Sequence, residues 1–108
     1  MDTMTKLQEI SFEIIANAGE AKAFAYEALA AAKEKNADLY EEKMNKADQS
    51  INEAHKRQFE LLKEEANGEL KDVTFSILVV HAQDHLMCVI STIELIRELA
   101  EIHLKGLQ

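Results

Sequence analysis

Proline and tryptophan are absent from this 108-residue chain, and glycine occurs only three times. Proline breaks helices and glycine weakens them, so their scarcity favours long helices. The abundance of Ala, Glu, Lys and Leu favours the same structure. At this length we expect one domain, spanning residues 1–108, whose monomer buries only a modest core.

Basic residues and cysteine are also scarce. Twelve Lys and Arg stand against twenty Asp and Glu, and the net charge of −8 argues against binding to nucleic acid or to an anionic membrane surface. A basic protein partner is compatible with this negative net charge. The single cysteine, Cys88, cannot form an internal disulfide, which fits a reducing, cytoplasmic setting. The first ten residues lack the basic segment and apolar core of a signal peptide, so none is expected.

One segment, residues 73–93, contains no Lys or Arg and only one acid, Asp84. Its length would fit a membrane span. However, an Asp near the centre of a span costs about 2.5–3.5 kcal/mol on insertion scales, and His81, Gln83 and His85 add further polar groups. The segment is therefore predicted to be a buried helix.

Three helical blocks are predicted, at about residues 5–33, 38–66 and 73–104. The first break runs from Lys35 to Asp38, where Asn36 is expected to take the left-handed conformation and Asn36 or Asp38 to cap the next helix. The second break covers residues 67–72. Short connections make neighbouring helices antiparallel, so the chain is predicted to be an all-α, up-down-up antiparallel three-helix bundle.

Apolar residues at three-four spacing give each of the first two blocks one apolar stripe. In the first block the stripe is rich in alanine, which lets another helix approach closely. Its members are Leu7, Ile10, Ile14, Ala18, Ala21, Phe24 or Ala25, Ala28 and Ala32. The stripe of the second block consists of Tyr40, Met44, Ala47, Ile51, Ala54, Gln58 and Leu61 or Leu62.

The third block is apolar on two opposite faces. One face can pack on the first two helices, and it consists of Phe75, Val79, Ala82, Leu86, Val89, Ile93, Ile96 and Ala100. The second face carries Ile77, Val80, Asp84, Met87, Cys88, Ser91 and Leu95. A helix that is apolar nearly all round must be buried all round, which a three-helix monomer cannot achieve. The second face is therefore predicted to be an interface between subunits of a symmetric oligomer.

Asp84 lies in the middle of this second face. In an oligomer with cyclic symmetry, its copies would meet near the axis, where several carboxylates cannot all stay ionised without a cation. Asp84 is thus expected to be partly protonated or to bind a hard cation such as Mg²⁺. The alternative is a carboxylate with a buried hydrogen-bond partner and no metal.

His81 and His85 are about 40° apart on a helical wheel, at the boundary between the two apolar faces. Three interpretations fit this spacing. The histidines could chelate Zn²⁺, although no cluster of Cys, His or Glu supplies a third ligand. They could be neutral residues satisfied within an interface. Finally, one imidazole could attack a phosphoryl group while the second supports it.

The chain also lacks a Gly-rich phosphate-binding loop of the type G-x-x-x-x-G-K-[ST], so no nucleotide site is expected. Any phosphoryl group would have to come from another protein. No Ser/His/Asp set is evident either.

Three segments resemble a known family. HAQDHLM, residues 81–87, is similar to the active-site motif of enzyme IIA of the lactose/cellobiose class in the bacterial phosphoenolpyruvate-dependent sugar phosphotransferase system. IIANAGEAK, residues 14–22, resembles the first-helix pattern I-I-x-x-A-G-x-A-[RK] of that family, and NEAHKRQ, residues 52–58, resembles its N-E-A-H-x-x-Q segment. The resemblance spans nearly the whole chain, and the first motif is specific.

This resemblance implies a role for each residue of the motif. His81 would take the phosphoryl group on Nε2, with His85 as the supporting histidine and Gln83 shaping the site from an adjoining subunit. Asp84 would meet its symmetry mates on the threefold axis of a homotrimer, where some family members bind Mg²⁺. Cys88 departs from the expected Thr or Asn, which makes the axial packing and metal affinity less secure than the phosphorylation site.

The implied function is a relay. HPr, the histidine phosphocarrier protein, would donate the phosphoryl group to His81, and a cysteine of enzyme IIB would receive it during uptake of a disaccharide of the lactose, cellobiose or chitobiose class. No nucleotide cofactor is implied, and the membrane is involved only through the sugar permease. The sequence does not identify the sugar. His55 and His103 receive no catalytic role, and a non-catalytic helical adaptor and a metal-binding bundle remain the alternatives.

Overall fold

Three α-helices make up most of the computed structural model, which describes residues 3–66 and 77–106. They are α1 (Thr3–Lys33), α2 (Ala37–Ala66) and α3 (Ile77–Lys105). These ranges contain no strand, and the prediction of an all-helical chain with three helices is confirmed. The predicted break at residues 67–72 and the predicted start of the third helix at residues 73–76 lie outside the described residues.

The turn between α1 and α2 combines a motif that ends α1 with a side chain that caps the N-terminus of α2. Lys35 has a φ of 61°, its N–H donates to the carbonyl of Ala32, and the N–H of Asn36 donates to the carbonyl of Ala31. These bonds form a Schellman ending. The side chain of Asn36 accepts a hydrogen bond from the N–H of Leu39 at 3.1 Å, which caps α2. The expectation that Asn36 itself is left-handed was wrong: Asn36 is the cap, so the residue before it reverses the chain.

Helix α1 packs extensively against both other helices, whereas α2 and α3 meet at few positions. The residues that α1 buries include the alanines of the predicted stripe, together with Leu7, Ile10 and Ile14. Small side chains allow two helices to approach α1 closely on different sides. From α3, the core receives the predicted residues Ala82, Leu86, Val89, Ile93, Ile96 and Ala100.

Ion pairs join α1 to α2 at three levels. Lys6 pairs with Glu64, Glu13 with Arg57 and Glu27 with Lys43, so the partner's number falls as the α1 number rises. Between α2 and α3, Asp48 pairs with Arg97. Each pair has at least one partner that is more than 40% exposed, so each adds little stability, and their main value is to mark the axial register of the helices.

The second apolar face of α3 lies on the surface of the single chain. Ile77, Leu95 and Met87 have exposed fractions of 79%, 61% and 53%, and Cys88 is also exposed. Such a row of uncovered apolar side chains is unusual for a monomer. None of the three helices, within the residues that the structure describes, is long and apolar enough to cross a membrane.

The close approach of helices to α1 gives a stability prediction. We expect Ala21→Leu to lower the free energy of unfolding by about 1–3 kcal/mol, because Ala21 is fully buried and the larger side chain would overpack the core. Ala23→Leu, the same change on the exposed side of α1, should alter it by less than about 0.5 kcal/mol. Urea unfolding followed by circular dichroism measures both, and equal losses would contradict the packing described here.

Candidate functional site

The first half of α3 presents the residues of the HAQDH motif on different sides of one helix. Ala82 and Leu86 are fully buried and hold this part of α3 on the core. His81 and Asp84 are exposed as a consequence, and His85 is half-buried. A rigid helix anchored by two core residues therefore fixes the direction in which each polar side chain points.

The two histidines stack on each other. Their ring centroids are 6.1 Å apart and the ring planes differ by 16°. This agrees with their spacing of four residues, which places side chains one above the other along a helix. His81 is exposed and His85 is half-buried, so the imidazole of His81 is the more accessible of the two to an incoming group. The arrangement suits one histidine that reacts and one that supports it.

Gln83 lies on another side of α3, next to α2. The Nε2 of Gln58 donates a hydrogen bond to the Oε1 of Gln83 at 2.6 Å, in a half-buried position. The Nδ1 of His55 lies 3.2 Å from the Oε1 of Gln58, and because an amide oxygen only accepts, His55 is the donor of that bond. A chain of hydrogen bonds thus runs from His55 through Gln58 to Gln83.

The sequence analysis did not predict this series of hydrogen bonds. His55 was given no catalytic role. Gln58 was assigned to the apolar stripe of α2 and to the N-E-A-H-x-x-Q segment, without a hydrogen-bond partner. The signal that could have found it was an amide in a stripe of core residues, since a buried amide requires a partner. A shallow surface hollow lies beside it on α2, and it is lined by His55, Lys56, Gln58, Phe59 and Leu62.

Asp84 stands among the apolar side chains of the second face of α3. Val80, Met87 and Cys88 surround it on the wheel, and all of them are exposed in the single chain. Asp84 is therefore an exposed carboxylate within an uncovered apolar row.

A metal site made by one chain finds no support in this geometry. In residues 3–66 and 77–106, no group of three or more His, Cys, Asp or Glu side chains comes together in a way that could hold a metal ion. Within these described ranges, no side chain of the same chain joins His81 and His85 as a third metal ligand.

Comparison with known proteins identifies relatives of the chain. The model of the family described as "PTS system, Lactose/Cellobiose specific IIA subunit" matches residues 9–104. The chain is 42% identical over 101 residues to the lactose-specific EIIA component of the phosphotransferase system of Staphylococcus epidermidis, which covers 94% of this chain and 95% of the relative.

Solved structures agree with this match. The crystal structure of the cellobiose-specific enzyme IIA from Bacillus anthracis is similar with a TM-score of 0.85 and 43% identity, covering 97% of this chain and 92% of that one. The solution structure of the IIA(chitobiose)–HPr complex of the Escherichia coli phosphotransferase system contains a chain with a TM-score of 0.78 and 36% identity, covering 92% of this chain and 94% of the other.

Proposed function

We propose a function from one premise: the chain belongs to the lactose/cellobiose-specific IIA family of the bacterial phosphoenolpyruvate-dependent sugar phosphotransferase system. It is a phosphocarrier that accepts a phosphoryl group on His81 and passes it to a cysteine of enzyme IIB. The observation that carries this proposal is the exposed imidazole of His81, stacked on the half-buried imidazole of His85 beside the uncovered apolar face of α3 that carries Asp84.

The first transfer runs from phospho-HPr to His81. The lone pair on Nε2 forms a new P–N bond, the P–N bond of the donor phosphohistidine breaks, and its electron pair returns to the donor ring. One proton leaves the ring of His81 and one is taken up by the donor ring, so protons balance. Positioning and charge stabilisation suffice for such a transfer, and no nucleotide is needed.

The second transfer reverses these roles. The thiol of an enzyme IIB cysteine attacks phosphorus, a P–S bond forms, and the P–N bond to His81 breaks. The thiol gives up its proton and the ring of His81 regains one. In this relay the chain contacts proteins and not the sugar, which is a disaccharide of the lactose, cellobiose or chitobiose class. The relay takes place in the cytoplasm, and the membrane enters only through the permease.

HPr is the proposed donor for a specific reason. A chain that is 36% identical to this one has been solved in complex with HPr, which supports the same partnership here. The net charge of −8 favours a basic partner. Since both HPr and enzyme IIB must reach the same imidazole in turn, we expect them to use overlapping surfaces.

We also propose a homotrimer of up-down-up bundles. The support for the trimer is the uncovered apolar face of α3, which a second and third copy would bury. The up-down-up order is supported by the opposed numbering of the ion pairs between α1 and α2, and of the Gln58–Gln83 bond and the Asp48–Arg97 pair between α2 and α3. Three copies of α3 around an axis would remove residues such as Ile77 and Leu95 from water. Burial of that apolar surface is the driving force of assembly.

The trimer explains how Gln83 reaches the site. At about 100° per residue, His81 lies about 60° to one side of Asp84 and Gln83 about 100° to the other side. Around a cyclic axis, one side of a subunit meets the opposite side of its neighbour. With Asp84 on the axis, the His81 side of one copy therefore faces the Gln83 side of the next, so Gln83 of an adjoining subunit supports His81.

Asp84 is the proposed axial ligand of Mg²⁺. One chain offers a single exposed carboxylate there, and three copies would offer a set of hard oxygen donors, which fits this cation. When bound, the cation would offset two of the three negative charges of the carboxylates. We give it no part in the transfer itself.

The phosphoryl relay has a direct test. Incubation with phosphoenolpyruvate, enzyme I and HPr should add one phosphoryl group per chain, in an acid-labile linkage, because phosphohistidine is hydrolysed in acid. His81→Ala should abolish this gain, and His85→Ala should slow it. Intact-protein mass spectrometry measures the product.

The matched control is His103→Ala, which removes another exposed histidine at the far end of α3 and should leave the gain of mass unchanged. A wild-type chain that gains no mass, or His81→Ala chains that gain it as the wild type does, would refute the proposal. A helical adaptor would show the first of these results.

Assembly has its own test. Leu95→Glu should weaken the trimer by about 3 kcal/mol or more, because it would bury three unpaired charges near the axis. Phe12→Glu, at an exposed phenylalanine of α1, should leave the trimer intact. Sedimentation equilibrium gives the mass of each. A wild type that sediments as a monomer, or a Leu95→Glu chain that associates as well as the wild type, would contradict the proposed axis.

The proposed axial site fixes the number of Mg²⁺ ions bound per chain. Equilibrium dialysis should give one Mg²⁺ per three chains, and Asp84→Asn should abolish binding because a neutral amide is a weaker ligand. Asp38→Asn, at an exposed Asp of α2, should bind as the wild type does. Undiminished binding by Asp84→Asn would exclude the axial site. In a parallel dialysis against Zn²⁺, one cation per chain would favour the pair of His81 and His85 as a metal site instead.

A further inference from the structure

The amide groups of Gln58 and Gln83 form a bridge between two helices that otherwise meet at few positions. Their hydrogen bond is 2.6 Å long, and it runs from the Nε2 of Gln58 to the Oε1 of Gln83. Both helices are already held by their packing on α1, so this bond is not needed to join them. What it does fix is the orientation of the Gln83 side chain.

The bridge also has a direction. The Oε1 of Gln58 is engaged by the Nδ1 of His55, so both ends of the Gln58 amide are used. While Nδ1 of His55 carries the proton, the amide cannot turn over without losing both bonds. The Oε1 of Gln83 is held as an acceptor. Its two N–H donors consequently point away from α2, where they can meet another molecule.

Donors are what a phosphoryl group requires. Its oxygens are negatively charged and accept hydrogen bonds, whereas an amide oxygen turned toward them would repel them. The two ends of an amide have nearly the same shape, so a free Gln83 would present either of them. A restraint on its orientation therefore increases the fraction of subunits that offer N–H groups to the phosphoryl group.

Gln83 cannot serve His81 of its own chain, because residues two apart lie on different sides of a helix. In the proposed trimer it faces His81 of the neighbouring copy. We propose that Gln58 is a positioning residue: by holding the Oε1 of Gln83, it directs the Gln83 N–H groups at the phosphoryl group on His81 of the adjoining subunit. This inference rests on the proposed phosphocarrier function.

The test replaces Gln58 with methionine, which has a similar length but neither donor nor acceptor. The maximal single-turnover rate of transfer from phospho-HPr should fall about two- to tenfold, the value of one hydrogen bond, while the apparent KM for phospho-HPr stays unchanged. Gln49→Met, at an exposed glutamine of the same helix, is the matched control and should transfer as the wild type does.

Two further measurements separate positioning from a loss of structure. In a double-mutant cycle, Gln58→Met should add nothing to the effect of Gln83→Met, since it acts through Gln83. In NMR spectra, phosphorylation should shift the side-chain NH₂ resonances of Gln83, and Gln58→Met should reduce that shift. The inference would be overturned if Gln58→Met lowered the transfer rate further in the Gln83→Met background. It would also be overturned if Gln58→Met alone left either the transfer rate or the phosphorylation-induced NH₂ shift of Gln83 as in the wild type.

Failure of this inference is distinguishable from failure of the proposed function. A wild-type chain that takes no phosphoryl group from phospho-HPr would refute both. A wild-type chain that takes it normally, together with a Gln58→Met chain of equal rate and equal KM, would refute only the positioning role.

Discussion

The close packing of α1 against two helices is the constraint on which the rest of the structure depends. The buried side chains of α1 include many alanines, and their small size allows α2 and α3 to pack closely against α1 from different sides. With α1 between them, α2 and α3 make little contact with each other. Helix α3 is then covered on one side only, although its sequence is apolar on two. The same packing that completes the core of the chain therefore leaves a second apolar surface open.

Periodicity was enough to predict the helices and their buried stripes, because each stripe depends only on which residues share a helix face. The turn was harder. Asn36 and Lys35 are neighbours, and either could have been the left-handed residue on composition alone. Capping of α2 by the Asn36 side chain decides between them, since an N-cap residue has extended backbone and cannot also be left-handed.

At the site, the stacking of His81 on His85 was predictable because it is a contact within one turn of a single helix. The bond from Gln58 to Gln83 was not, because it joins residues 25 positions apart on different helices. It depends on how far α2 is shifted along α3, and a hydrophobic pattern repeats every turn without fixing that shift. Ion pairs such as Asp48 with Arg97 mark the register only once the structure is known.

The position of α2 on one side of α3 gives each chain two different flanks. One flank carries His81 and His85, and the other carries Gln83 held by Gln58. Neither flank alone contains both an acceptor imidazole and a directed amide donor. A cyclic assembly about an axis parallel to α3 brings the unlike flanks together at every interface, whereas a twofold axis perpendicular to α3 would pair each flank with itself. If the site is shared in this way, a chain that fails to assemble loses Gln83 from its site even though His81 remains exposed, so phosphoryl transfer is linked to assembly through the geometry of α3.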